Sequence, residues 1–180
     1  MLTTEKREWF SQLGQDKLVY KLLGNLKGGY FVDLESNDAT ELSNSYALET
    51  FHGWNGLCVE ANPDYWAQLA FRKCEVVGAV VGQNRMEEIE FNFGNKSKLN
   101  GGMFGGIVND AMDNTVKSAN ADTHILVKRY TVPLKEIFER HGAPKTIDYF
   151  SLDVKGAETY VMSGFPFREY KFRTMSIERP

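Results

Sequence analysis

The sequence predicts an α/β domain built on a doubly wound, mainly parallel sheet, and three observations lead to it. Short β-prone runs alternate along the chain with segments of helical periodicity. The strongest runs are apolar on both faces, as strands covered by helices on either side must be. Three of the runs end in an acid, Asp33, Glu60 and Asp153. In a doubly wound sheet ligands sit outside the carboxyl ends of the strands, and acids scattered over a surface would not choose those positions.

Each element has a local reason. Residues 15–26 form the first helix, with Val19, Leu22, Leu23 and Leu26 at helical spacing before Gly28 and Gly29. Residues 30–34 (YFVDL) are the first buried strand. Ser43 or Asn44 caps a helix carrying Tyr46, Ala47, Leu48 and Phe51, closed by Gly53. Residues 57–59 are the second strand, and Asn62-Pro63 supplies a cap and a first-turn proline for a helix with Trp66, Leu69 and Ala70. Residues 76–81 are a third apolar run. The rhythm then changes: residues 86–93 alternate, with Ile89, Phe91 and Phe93 against Glu88, Glu90 and Asn92, as in a half-exposed antiparallel strand.

Residues 95–121 read as a long loop, because Gly101, Gly102, Gly105 and Gly106 oppose regular structure. It is either a substrate lid or a plain insertion. Residues 125–131 return as a strand, and Pro133 opens a helix with Leu134, Ile137, Phe138 and His141 on one face, stopped by Gly142. Residues 146–152 are the fourth buried strand, 156–163 a short helix and 172–177 a fifth strand. Neither a repeat nor a linker interrupts this order, so residues 1–180 form a single domain with an inserted region at 86–131.

Composition narrows the function. The 180 residues are 42% hydrophobic, and a chain of this length buries about 70% of its unfolded surface. Lys+Arg 21 against Asp+Glu 24 leaves a net charge of -3, which gives no basic footprint for nucleic acid. No run reaches the ~18 apolar residues of a membrane span, and the charged amino end lacks a signal-peptide core. Cys58 and Cys74 lie in strand-like runs and are expected to be buried free thiols. With these features, a reducing, cytoplasmic setting is the expectation. Asn95-Lys96-Ser97 matches a glycosylation sequon by pattern alone.

The acids point to a ligand. A carboxylate after the second strand suits the two ribose hydroxyls of an adenosine, through charge-assisted bonds of about 1.5–3 kcal/mol each. Glu60 would equally favour the amino end of the helix that follows. A dinucleotide fingerprint needs G-x-G-x-x-G after the first strand, and Glu35-Ser36-Asn37-Asp38-Ala39 has no glycine. Asp33 suits an ammonium group, and S-adenosylmethionine carries both ammonium and ribose.

Several blocks, in order, carry a resemblance. They are Ser11-Gln12-x-Gly14-Gln15-Asp16, Gly29-Tyr30-Phe31-Val32-Asp33-Leu34 and Ser43-Asn44-Ser45-Tyr46-Ala47-Leu48-Glu49. Trp54-Asn55-Gly56-Leu57-Cys58-Val59-Glu60-Ala61-Asn62-Pro63 and Asp148-Tyr149-Phe150-Ser151-Leu152-Asp153-Val154-Lys155-Gly156-Ala157-Glu158 complete them. The sequence resembles the FkbM-type methyltransferases, a branch of the Rossmann-like class I S-adenosylmethionine-dependent fold, over nearly its whole length. The resemblance implies S-adenosyl-L-methionine as cofactor and transfer of methyl to an oxygen, often a hydroxyl on a sugar or other small molecule. The loop after the first strand, with Asp33, Glu35, Asn37, Ser43 and Asn44, would wrap the methionine part. Glu60 would take the ribose, Ala79 and Val80 would lie near the adenine, and Asp153 would face the transferred methyl.

The chain departs from the family's first motif, Asp-x-Gly-Ala-x-Asp-Gly, by placing Glu35 and Ala39 at the two glycine positions. Ala39 adds one methyl. Glu35 adds a carboxylate that would repel the cofactor's own carboxylate or attract its sulfonium or ammonium, unless it points to solvent. The contrasting reading is therefore a catalytically inert binding or interaction module that keeps the fold without the glycine loop.

Methyl transfer from a sulfonium is an in-line displacement, in which the protein mostly positions the partners and removes a proton. Asp153 is the candidate for orienting the nucleophile or taking its proton; its other reading is a helix cap. Asp153 and Glu178 stand near adjacent strand ends, but two carboxylates without established spacing do not make a cation site. His52, His124 and His141 show no shared spacing. The chain ends as the fifth strand finishes, where class I methyltransferases normally add a helix and a final strand pair. The expectation is thus a domain lacking its C-terminal strands, whose fifth strand offers an unpaired edge to another copy.

Overall fold

The computed structural model describes residues 8–95, 106–108 and 124–177. From the amino end run α1 (Gln15–Leu22), β1 (Tyr30–Leu34), α2 (Tyr46–His52) and β2 (Asn55–Val59). A 3-10 turn, Pro63–Tyr65, leads into α3 (Trp66–Leu69), then β3 (Glu75–Val77) and β4 (Val80–Gly82). β5 (Glu88–Asn95), β6 (Gly106–Val108) and β7 (His124–Pro133) follow. The described chain closes with α4 (Leu134–Arg140), β8 (Thr146–Leu152), α5 (Glu158–Met162) and β9 (Lys171–Ile177).

The central sheet has the order β3-β2-β1-β8-β9, and each of its pairings is parallel. The chain winds outward from β1 through β2 to β3, then restarts on the other side of β1 with β8. That reversal puts the switch point between β1 and β8, where a ligand crevice forms. Alternation along the strands sorts the side chains onto two faces. Phe31, Cys58 and Tyr149 pack with Val19, Leu48, Trp54 and Leu69 on the α1–α3 face. Val32, Leu34, Val59, Phe150 and Leu152 pack on the other, under α4, α5 and a second sheet of order β4-β7-β5-β6. β1 and β2 approach so closely at Gly56 that a Cβ there would lie 2.2 Å from the Phe31 carbonyl oxygen.

The expected parallel, doubly wound arrangement is present, with local differences. The first helix ends at Leu22 rather than residue 26, because the chain turns through Gly24 (φ 68) and Asn25 (φ 60). The apolar run 76–81 splits into two strands of different sheets: β3 pairs with β2, and β4 pairs with β7. β5 is antiparallel to β7 as its alternation implies, but Asn92 on its polar side is buried. Gly106 does not oppose regular structure; with β6 it forms a strand against β5. The remainder of the predicted loop, the Lys96-Ser97 part of the sequon and Glu178 lie outside the described residues. β9 forms the outer strand of the central sheet among the described residues.

Cys58 and Cys74 are not free thiols: they form a disulfide with their Cα atoms 6.1 Å apart. Cys74 immediately precedes β3, whose residue Val76 stands opposite Cys58 in the parallel register. Only this pairing of neighbouring strands brings the two sulfurs together, which their sequence spacing does not disclose. The bridge also removes the cysteine argument for a reducing compartment. Among the described residues no helix is long and apolar enough to cross a membrane.

Candidate functional site

Strand register decides which polar groups meet. Asp33 stands opposite Ser151 on β8, and its alternation from Phe31 turns it to the α2 face. There the hydroxyl of Ser45, the N-cap residue of α2, donates to Asp33 Oδ2 at 2.5 Å. Ser151 also bonds the carboxylate. Burial raises the Asp33 carboxyl above its usual range, while the Ser45 bond, the Arg72 charge and Ser151 pull it down. Arg72 reaches Ser45 Oγ at 3.1 Å and Ser43 Oγ at 3.2 Å. It forms an ion pair with Glu49 at 3.2 Å, both side chains at most 3% exposed. Ser43 in turn accepts the Tyr46 amide at 3.1 Å, so it caps α2 from outside the helix.

Beyond β1 the backbone turns through left-handed residues, Glu35 at φ 60 and Asn37 at φ 51. The amides of Glu35 and Ser36 both donate to the Val59 carbonyl, at 2.9 and 3.2 Å, tying the turn to the end of β2. This aims the Asn37 amide at Glu60 Oε2, 2.8 Å away. The Asn62 amide donates to Glu60 Oε1 at 2.6 Å. Both carboxylate oxygens are thus held by main-chain donors, and the Ala61 amide also bonds the group. Burial pushes the Glu60 carboxyl up to about 7 against the amide donors of Asn62 and Asn37.

Two spaces border this turn, and a third adjoins the polar one. Asp33, Glu35, Asn37, Ser43, Asn44 and Asp153 line a polar cleft. A narrow apolar recess is lined by Ala61, Ala79, Val80, Phe91 and Ile107, again with Glu35. The widest, about 350 Å³, opens beside Asn44 and Asp153 at the ends of β8 and β9, with Ser151, Ser176 and Ile177 in its wall. Of the residues singled out in the sequence, Asp33, Glu35, Asn37, Ser43, Asn44 and Asp153 line the polar cleft and Ala79 and Val80 the apolar recess, whereas buried Glu60 lines none of the three spaces. It joins the cleft through Asn37.

Glu35 does not project away into solvent. It lines both the polar cleft and the apolar recess. Burial, with the nearby Glu60 and Asp153 carboxylates, holds its carboxyl well above the usual range, while Lys155 opposes this. Asp153 pairs with Lys155 Nζ at 2.5 Å. It does not cap the following helix: α5 starts at Glu158, with Ala157 at the cap position and no side-chain capping bond.

Some site residues escape a reading of the sequence. Gln12 and Gln15 line both the polar cleft and the wide space. Their segment is secured by buried Asp16, which accepts the Phe10 amide at 2.7 Å and the Ser11 hydroxyl at 2.6 Å. The Ser-Gln-x-Gly-Gln-Asp block marks this segment, but nothing local says that it closes a crevice. Arg72, Ser45 and Ser151 act through tertiary contacts and leave no local signal.

A family model, the methyltransferase FkbM domain, matches residues 33–179. No curated protein and no solved structure matches the chain.

Proposed function

The chain belongs to the FkbM methyltransferase family, and on that premise we propose that it uses S-adenosylmethionine to methylate a hydroxyl oxygen of a small molecule or sugar. The observation that carries the cofactor reading is Glu60, a buried carboxylate at the end of β2 held by the main-chain amides of Asn37, Ala61 and Asn62. A carboxylate in this place suits the ribose hydroxyls, and the apolar lining at Ala79 and Val80 suits an adenine ring once the narrow recess opens to admit it. Asp33, Asn37, Ser43 and Asn44 supply a polar cleft for the amino-acid end.

When bound, S-adenosylmethionine supplies a methyl group made electrophilic by the adjacent sulfonium. The protein's part is positioning and proton removal. Asp153 stands between the polar cleft and the wide space at the ends of β8 and β9, which has room for an acceptor. There it orients the acceptor hydroxyl and takes its proton, while Lys155 fixes the carboxylate.

Glu35 at a glycine position favours a second reading, an inert module of the same fold. Isothermal titration with S-adenosylhomocysteine decides between them. Binding is expected, with Glu60→Ala weakening it about ten- to a hundredfold, the equivalent of about 1.5–3 kcal/mol. No heat and no melting shift at millimolar ligand would select the inert module. Binding that Glu60→Ala leaves unchanged would remove the ribose assignment.

A further inference from the structure

Glu35 occupies a position that the mechanism above does not use. Its backbone keeps the left-handed conformation at φ 60, which glycine adopts at no steric expense and other residues enter less readily. The side chain is shared by two walls: with Ala79, Val80 and Phe91 it lines the apolar recess, and with Asp33, Ser43 and Asn44 the polar cleft. A molecule reaching from recess to cleft must therefore pass this carboxylate.

Charge around it is one-sided. Glu60, Asp153 and Glu158 all act on Glu35 with the same sign, and Lys155 is the opposing cation. Lys155 is itself engaged by Asp153 at 2.5 Å. Burial and these like charges favour the protonated form of Glu35 in the empty site, and an incoming cation supplies the positive charge that favours its ionised form. In such a shielded place charge counts for far more than in bulk water.

We propose that Glu35 makes the site selective for the charged form of the cofactor, binding the sulfonium of S-adenosylmethionine in preference to the neutral thioether of S-adenosylhomocysteine. This rests on the cofactor reading above and assigns its charge preference to one side chain. Methyl transfer moves CH₃⁺ from sulfur to the acceptor oxygen, whose proton goes to Asp153. The sulfur keeps the bonding electron pair and becomes neutral. Loss of that charge removes the attraction to Glu35 and favours departure of the spent cofactor.

The test is the ratio of dissociation constants for the two nucleosides, measured by isothermal titration on the wild type and on Glu35→Gln. The wild type is expected to favour S-adenosylmethionine, and Glu35→Gln to reduce that preference about tenfold, mainly by weakening the charged ligand. An analogue carrying a protonated amine in place of the sulfonium, titrated into the wild type, is expected to bind as the sulfonium does. That arm needs no variant, so it stands even if Glu35→Gln fails to fold. A preference unchanged by Glu35→Gln, or an amine analogue that binds no better than the thioether, would overturn the role of Glu35 while leaving the cofactor reading intact. Binding of neither nucleoside to the wild type would overturn both.

Discussion

Raising the pH from 5 to 8 is expected to destabilise the protein through Glu60, and Glu60→Gln is expected to remove that part of the loss. The Glu60 carboxyl sits at about 7 in the folded chain against an ordinary value of 4.5, chiefly because it is buried. Below 4.5 the folded and unfolded chains both hold the proton, and the folding advantage from this group is complete. Between 4.5 and about 7 only the folded chain keeps it, so stability falls as pH rises and levels off above about 7. Of a full effect of ~3 kcal/mol, ~2.5 kcal/mol falls between pH 5 and pH 8. Asp33 and Glu35 are shifted in the same direction, so the wild type alone cannot isolate Glu60. The difference between wild type and Glu60→Gln reports Glu60 together with its effect on the neighbouring Glu35 and Asp33 carboxyls, and it cancels any pH-independent harm from the substitution. Urea unfolding at both pH values gives the four free energies required. An equal pH dependence in the two proteins would refute the buried proton at Glu60. The same proton bears on the cofactor: if the carboxylate is the form that accepts the ribose hydroxyls, affinity rises about tenfold from pH 6 to pH 8.

Two further outcomes follow from buried contacts on the same face of the sheet. Arg72→Met leaves the buried Glu49 carboxylate without its counter-charge, held only by the Lys73 and Cys74 amides, and is expected to lower stability by about 3 kcal/mol, with Glu49→Gln in that background recovering part of it, as read by urea unfolding. Removing the Cys58–Cys74 bridge, which spans a sequence separation of 16, with Cys58→Ala and Cys74→Ala together is expected to lower stability by ~3 kcal/mol. Reduction of the wild type should lower it comparably; no change on reduction would mean that the bridge does not constrain the chain.

Much of the fold is legible locally because its strands announce themselves. YFVDL and TIDYFSL are short, β-prone runs, and they occupy β1 and β8 with the expected bounds. Asn62 holds the Asp64 amide at 3.0 Å at the start of the 3-10 turn, as an Asn-Pro pair implies. The ends are harder. Residues 23–26 keep helical spacing, yet two successive left-handed residues, Gly24 and Asn25, end the hydrogen-bonding pattern first. Likewise Val76 to Val81 is one apolar run, whereas its two halves find partners in different sheets.

The sequence by itself determined the alternation of strands and helices and the acids at the strand ends, because burial on two faces and turn chemistry are local demands. It also determined the family, since ordered blocks survive one altered loop. Tertiary structure alone decided the disulfide, because the separation of Cys58 from Cys74 depends on which strands pair. It alone decided that Arg72 is buried against Glu49, because a charge enters a core only where another fold element supplies its partner. It decided, too, that Glu35 faces the crevice. A side chain's surroundings at a left-handed turn are set by the elements that converge on it, here the ends of β1, β2 and β8.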